Sequence, residues 1–259
     1  MVGRSLFILL TLVAACARPT SIVAPQGPAL LAVVTWNTHG EAGDLPRLLT
    51  DLGAGRLPGA PVRDYVVLLQ ETSEDQVAAL AADRAVSFYF GAVRRSPLRT
   101  SGNAIVSTLP LAGTRTIDLP RERQPRAAVA ATIEVGGAQL FVISTHLENR
   151  LGWLRGLFGD RARGRQAQAL LREIPPQQDG ILGGDMNTML GPDEPAWRAF
   201  LDRFPQTPPR PEPTFRDRLV LDHLFFDLPD RWTATRTVIA DRYGSDHHPV
   251  LGLVHGPRF

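Results

Sequence analysis

Ile181-Leu182-Gly183-Gly184-Asp185-Met186-Asn187 is the stretch on which the reading of this chain turns. An apolar pair running into two glycines reads as the end of a buried strand, with Asp185 and Asn187 presented at its tip. In an extended strand end, residues two apart face the same side, which places both polar groups in one cavity. A carboxylate and an amide held there suit simultaneous contact with a hard cation, an attacking water and a phosphoryl oxygen. That is equipment for phosphoester hydrolysis.

The same arrangement recurs along the chain. Apolar strand runs at residues 30–35, 65–69 and 139–145 end in Trp36-Asn37, Gln70-Glu71-Thr72 and Thr145-His146; Asp246-His247 precedes a last strand at 250–254. A strand at 219–226 carries Asp222 and His223, and another spans 233–239. Between them, 44–52, 163–174 and 193–204 read as helices, the last with Trp197, Phe200, Leu201 and Phe204 as its apolar face. A further helix starts at Ser73, an N-cap with Gln76 three residues on, and runs to about Asp83. Strands at 86–90, 102–108 and 127–135, separated in part by short Gly or Pro turns, imply pairing between sequence neighbours. Taken singly, a polar residue beside a strand is usually where the chain meets water. The coincidence of Asn37, Glu71, His146, Asp185, Asn187, Asp246 and His247 at strand ends carries the argument, because strands with their ends together would bring all of them into one site.

Chemistry narrows the options. The cluster is rich in oxygen donors and holds no thiolate, which favours Mg2+, Mn2+ or Ca2+. The chain has no His-Glu-x-x-His, no Gly-x-Ser-x-Gly elbow and no Walker A loop, so zinc-peptidase, serine-hydrolase and P-loop chemistry are disfavoured. Its 259 residues, 44% hydrophobic, fit a full-sized core, with one domain over 30–259. All 28 basic side chains are Arg against 26 acids, a net charge of +2, which points to no particular partner.

At the N-terminus, Arg4 precedes an apolar run over 6–15, too short to span a membrane and laid out as a secretory signal. The only cysteine follows, and Val13-Ala14-Ala15-Cys16 resembles the lipobox of bacterial lipoproteins, in which the cysteine becomes the lipidated first residue. On that reading 1–15 is a signal peptide, 16–29 carries the anchor and a Pro-rich tether, and the protein is held at the bacterial cell envelope, facing periplasm or exterior. Removing Arg4 leaves 27 basic and 26 acidic groups, or +1.

The motifs Trp-Asn at 36 and 37, Gln-Glu at 70 and 71, Gly-Asn-Ala-Ile-Val-Ser at 102–107, Ser-Thr-His-Leu at 144–147, Gly-Asp-Met-Asn at 184–187, Leu-Asp-His at 221–223 and Ser-Asp-His at 245–247 occur in the order of the endonuclease/exonuclease/phosphatase superfamily. The chain resembles that family from Leu30 to its end. The resemblance implies an α/β, four-layer sandwich of two mixed β-sheets packed face to face with helices outside, and a metal-dependent phosphoester hydrolase. Carried over by position, Glu71 is the metal carboxylate with Asn37 and Asp246 beside the ion. Asp185 orients or deprotonates the water, Asn187 and His146 contact the phosphate, His247 is the catalytic imidazole and Asp222 fixes its tautomer. Asn103 is a further candidate for phosphate contact; His39, His223, His248 and His255 are bystanders.

The implied substrate is a nucleic acid or a phospholipid or sphingomyelin head group, acted on by a monomeric enzyme. Glu71-Thr72-Ser73-Glu74 lacks the lysine of apurinic-site endonucleases, and Thr188-Met189 lacks the aromatic and Arg of inositol-polyphosphate phosphatases. The segment 150–161 mixes Arg with Trp153 and Phe158 and suits a membrane surface, stacked bases or simple packing against the sheet. A non-catalytic binding module is the remaining alternative, disfavoured because no motif position is missing.

Overall fold

The structure, a computed structural model, describes residues 29–59, 62–95, 100–149, 159–208 and 212–257. The expected signal peptide, Cys16, most of the expected tether, and Trp153 and Phe158 lie outside the described residues.

Among the described residues, eleven strands form two mixed sheets. The first holds β10 (Thr233–Val238), β11 (Val250–His255), β1 (Ala29–Asn37), β2 (Tyr65–Ser73), β4 (Thr100–Ser107) and β3 (Ser87–Arg95), in that spatial order. The second holds β5 (Ala112–Leu119), β6 (Arg126–Val135), β7 (Ala138–His146), β8 (Gly180–Asp185) and β9 (Asp222–Asp227). Only β1 with β2 and β7 with β8 run parallel; the other pairs are antiparallel.

The near-continuous apolar runs follow from cover on both faces. In β1, Leu31 and Val33 enter the core between the sheets with Leu68, Ile105, Val142, Ile181 and Phe226. Ala32, Val34 and Trp36 face the other way, against α1 (Leu45–Gly53) and α2 (Glu74–Asp83). On the far side, Ile143, Leu182 and Phe225 pack on α3 (Gly159–Arg172) and α4 (Pro195–Arg203). The result is the four-layer sandwich expected from the resemblance. Truncating a fully buried Leu68 to Ala in the middle layer would cost about 2–5 kcal/mol.

The helix starts match their local chemistry: Asp44 accepts from the Arg47 N–H, and Ser73 Oγ accepts from the Gln76 N–H at 3.2 Å. One strand and two boundaries differ from expectation in ways that matter. The strand β5 has no counterpart in the sequence reading, because only Ile117 and Leu119 of its eight residues are buried and an edge strand shows weak alternation. Helix α4 begins at Pro195 after a separate 3-10 turn at Gly191–Asp193, and Glu194 between them turns its side chain to Arg163. Strand β9 begins at Asp222, since Arg216 and Asp217 adopt left-handed conformations and Phe215 bridges Leu219 in a turn.

Candidate active site

Strand register assembles half of the site. Across the parallel β7–β8 pair His146 stands opposite Asp185, and across the antiparallel β8–β9 pair Asp185 stands opposite Asp222. Residues paired in this way project from the same face of a sheet. One end of the second sheet therefore presents an imidazole and two carboxylates side by side, with Asp185 in the middle. The glycines of the 181–187 stretch make this approach feasible: a Cβ at Gly184 would stand 1.9 Å from Thr145 O, and one at Gly183 2.6 Å from Leu68 Cδ1 of the facing sheet.

The first sheet supplies the rest from its corresponding end. Asn37 closes β1, paired with Gln70 of β2. The β2–β4 register shifts between Leu69 and Thr72, and within this bulge Glu71 takes φ 56°, which re-aims its side chain. A left-handed glutamate costs about 1–3 kcal/mol, retained where surrounding structure fixes it. Beneath it, the buried Gln70 amide donates to Ser144 Oγ at 3.0 Å, and Ser144 Oγ donates to Leu69 O at 2.8 Å, pinning the two sheets together by polar contacts.

The two halves meet. Asn37 Nδ2 donates to Asp185 Oδ2 at 3.0 Å and to Glu71 Oε1 at 3.4 Å. His146 Nε2 lies 3.5 Å from Asp185 Oδ2 and its Nδ1 3.8 Å from Glu71 Oε1. His247 Nδ1 contacts Asp222 Oδ2 at 2.7 Å, while its Nε2 is 3.8 Å from Asp185 Oδ2 and 3.9 Å from Asp246 Oδ1. Asn187 does not continue an extended strand as the period-two reading expected. Its φ is 51°, and its N–H turns back to donate to Asp185 Oδ1 at 3.0 Å while its amide donates to Leu147 O at 3.3 Å. Thus the structure brings Asn37, Glu71, His146, Asp185, Asn187, Asp222, Asp246 and His247 into one contiguous cluster.

Supporting residues hold the loop that carries His247. Ser245 Oγ donates to Asn37 O at 2.7 Å and accepts from the His247 N–H at 3.0 Å, and the Trp36 indole N–H donates to His247 O at 3.1 Å. Thr214 Oγ1 accepts from the Leu221 and Asp222 N–H groups, fixing the start of β9. Trp36 and Ser245 lay within quoted motifs; Thr214 gave no sequence signal.

Burial and charge divide the ionisable groups. Burial drives the His146 pKa well below the ordinary imidazole value, with the charges of Arg126 and His247 adding to the effect, so this ring is neutral. Burial alone would do the same to His247, but the charge and hydrogen bond of Asp222, with Asp185 and Asp246, reverse it and raise the ring to about 10. Burial, reinforced by Asp222, lifts Asp185 to about 7 against the opposing pull of His247, Asn37 and the Asn187 N–H. One carboxylate poised near neutrality therefore stands beside one imidazolium.

Two groupings are candidates for a cation. Asp185, Asp222 and His247 each offer a ligand atom, all within 4.8 Å of one another. The close His247–Asp222 contact already occupies Nδ1 and Oδ2, however, and reads better as an acid–imidazole pair. The oxygen donors of Glu71 and Asp246 fit a hard cation. Asp246 Oδ1 is buried and makes no hydrogen bond, although His39 Nδ1 is 2.9 Å away. Asn37 now turns its nitrogen towards both carboxylates and its oxygen to the His39 N–H, so it orients the acids directly.

Among the presumed bystanders, His39 proves to contact Asp246, His223 is buried with Nε2 3.2 Å from Thr188 Oγ1, and His248 bonds Ile239 O and Asp217. Asn103 ties its amide to Ala127 O at 2.7 Å and lines a cavity of about 530 Å³ shared with Glu71 and His146. Arg126, from the same cavity, was missed: one Arg among 28 gives no signal until the fold buries it.

Solved structures share this architecture. The catalytic domain of human Nocturnin superposes with a TM-score of 0.67 at 19% identity, covering 89% of this chain and 96% of that one. D. rerio TDP2 complexed with a single-strand DNA product gives 0.63 at 17%, covering 87% and 99%. Sphingomyelinase C from Streptomyces griseocarneus gives 0.59 at 18%, covering 88% and 100%. Identities this low show the shared fold. A search of curated proteins finds no match. The family model described as Endonuclease/Exonuclease/phosphatase family matches residues 34–247, most of the chain, and this protein belongs to that family.

Proposed function

We propose that this protein is a divalent-metal-dependent phosphodiester hydrolase in which Asp185 takes the proton of the attacking water. The observation that carries the proposal is the meeting of Asp185 with Asn37, His146 and the Asp222–His247 pair at one end of the sandwich. Family members hydrolyse phosphoester bonds, generally with a divalent metal. Mg2+, Mn2+ or Ca2+ held by Glu71 and Asp246, with Asn37 beside it, would neutralise charge on the phosphoryl oxygens.

The chain's own groups account for the remainder. Asp185, near its titration midpoint at neutral pH, is matched to general-base work. Its oxygens accept from Asn37 and the Asn187 N–H, which fixes the carboxylate plane. His247, charged and braced by Asp222, supplies a positive donor where negative charge develops. Neutral His146 supplies a second donor without repelling a cation, and Asn187 stands next to it as the remaining phosphate contact. The test is hydrolysis of a simple aryl phosphodiester, plasmid DNA, RNA and sphingomyelin or phosphatidyl vesicles with each metal; inactivity on all of them would favour the binding module.

A head-group phosphodiesterase at a membrane is the second reading, favoured by the lipobox-like Val13-Ala14-Ala15-Cys16. With either substrate, the lipobox-like segment supports a monomer held at the bacterial cell envelope through Cys16. Replacing Trp153 and Phe158 with Ser separates the two: a greater loss on vesicles than on a soluble diester supports the membrane reading.

A further inference from the structure

We infer that Arg216 occupies one oxygen of Asp246 and opposes the cation until a phosphoester draws its charge away, so that metal and substrate bind cooperatively. The inference deepens the hydrolase reading above and rests on it for the roles of Asp246 and His247.

Arg216 and Asp217 are consecutive left-handed residues in the turn before β9, with φ of 47° and 58°. Residues with a Cβ seldom adopt that backbone, and it persists where surrounding contacts fix it. Here those contacts run to the segment that carries His247. The Arg216 N–H donates to Asp246 O at 3.1 Å, the His248 N–H donates to Thr214 O at 2.7 Å, and Asp217 Oδ1 meets His248 Nε2 at 2.7 Å. Phe215 bridges to His247 and sets its ring 4.7 Å from the imidazole. The turn is therefore clamped to residues 246–248 one after another, and the backbone itself places Arg216 beside Asp246.

The two oxygens of Asp246 differ as a result. Oδ2 accepts from Arg216 Nη2 at 3.1 Å, whereas Oδ1 is buried and makes no hydrogen bond. Oδ1 is thus the oxygen left for a hard cation. A divalent ion there would face the guanidinium across a single carboxyl group. The Arg216 side chain is 64% exposed and that of Asp246 19%, so the ion pair itself contributes little. Repulsion between a double and a single positive charge at such close range outweighs it even at high dielectric. Arg216 consequently weakens cation binding more than it helps by orienting the acid.

The rest of the side chain gives that repulsion a use. The guanidinium lies 4.9 Å over the Phe215 ring, and that ring contacts His247, so a row of three groups leads from solvent to the imidazole assigned to the phosphoryl oxygens. Most of its N–H groups stay exposed at the rim of the site, and the planar fork of Arg matches phosphate oxygens in pairs. A phosphoester at His247 would compete with Asp246 for the guanidinium, lift the repulsion and let the cation bind more tightly. By linkage, the cation favours the phosphoester to the same degree.

Calorimetric titration of Mg2+, Mn2+ and Ca2+ into the full-length protein, alone and with saturating phenylphosphonate, tests both parts without turnover, because the P–C bond resists hydrolysis. Without phosphonate, Arg216→Gln should bind the cation about 10-fold more tightly than wild type, while Arg216→Lys, which keeps the charge, should stay within about 3-fold of it. Phenylphosphonate should raise the cation affinity of wild type by a factor about 10-fold larger than in Arg216→Gln. Unchanged or weaker cation binding by Arg216→Gln would overturn the inference, because Arg216 would then only orient Asp246. So would an equal phosphonate effect in the two proteins, no phosphonate effect in wild type, or no binding of any of the three cations by either protein. Turnover of the aryl diester judges the hydrolase reading separately: a protein that shows both shifts and hydrolyses nothing loses that reading and keeps the linkage.

Discussion

Asn37 donates from Nδ2 to Oδ2 of Asp185 at 3.0 Å, joining two residues 148 positions apart that end strands in opposite sheets. The bond links the half of the site built on β1 and β2 directly to the half built on β7, β8 and β9. It also favours the ionised form of Asp185, against the burial that disfavours it.

Asn37→Ala should therefore lower kcat/KM on a diester by about 10- to 100-fold, the worth of one hydrogen bond to a charged group. The sign of the accompanying pH effect follows from the same bond. Removing a donor to the carboxylate raises the Asp185 pKa above about 7, so the acid limb of the kcat/KM profile should move to higher pH. A limb that stays in place would show that the base is another group.

Asp222→Asn tests the other side of the cluster. The Asp222 charge and its 2.7 Å contact hold His247 protonated up to about 10. Without the charge the ring loses its proton at lower pH, and the alkaline limb should fall by about 1–3 units. Measuring kcat/KM from pH 6 to pH 11 in both proteins checks this.

The cluster was legible in the sequence because its members sit at the ends of runs that period-two and buried-strand patterns identify well. What the pattern could not give was the backbone between those points. The Glu71 bulge and the left-handed turn at Asn187 are set by packing of β2 on β4 and by the hydrogen bond back to Asp185. Strand β5 was hidden because an edge strand with two buried residues shows little periodicity, and the start of β9 was displaced because the 215–219 turn is dictated by tertiary contacts of Phe215 with His247. Arg126 was invisible for a different reason: its burial, with Nε and Nη2 lacking a hydrogen-bond partner, is a property of the folded molecule.

Removal of divalent metal with a chelator should abolish hydrolysis, and addition of Mg2+, Mn2+ or Ca2+ should restore it. Glu71→Gln keeps the shape and removes the charge at the left-handed position, so it should raise the metal concentration needed for half-maximal activity by about 10- to 100-fold. Activity that survives exhaustive chelation would remove the cation from the account.

Stability offers a test independent of catalysis. Arg163 and Glu194 form a two-bond pair at 2.6 and 2.8 Å with side chains 1% and 0% exposed, joining α3 to the start of α4. Glu194 Oε1 also accepts from the Leu190 N–H. Glu194→Ala leaves a buried guanidinium without its partner and should destabilise the fold by about 3–5 kcal/mol in urea unfolding. A change below about 1 kcal/mol would place the pair among ordinary surface ion pairs.

The measurement closest to the central claim is metal-supplemented hydrolysis of a simple aryl phosphodiester by wild type and Asp185→Asn, each confirmed folded by circular dichroism. Loss of the positioned base should reduce kcat by about 100- to 10,000-fold while thermal unfolding remains cooperative. Asp185→Asn protein that retains wild-type, metal-dependent turnover would contradict the assignment of the site.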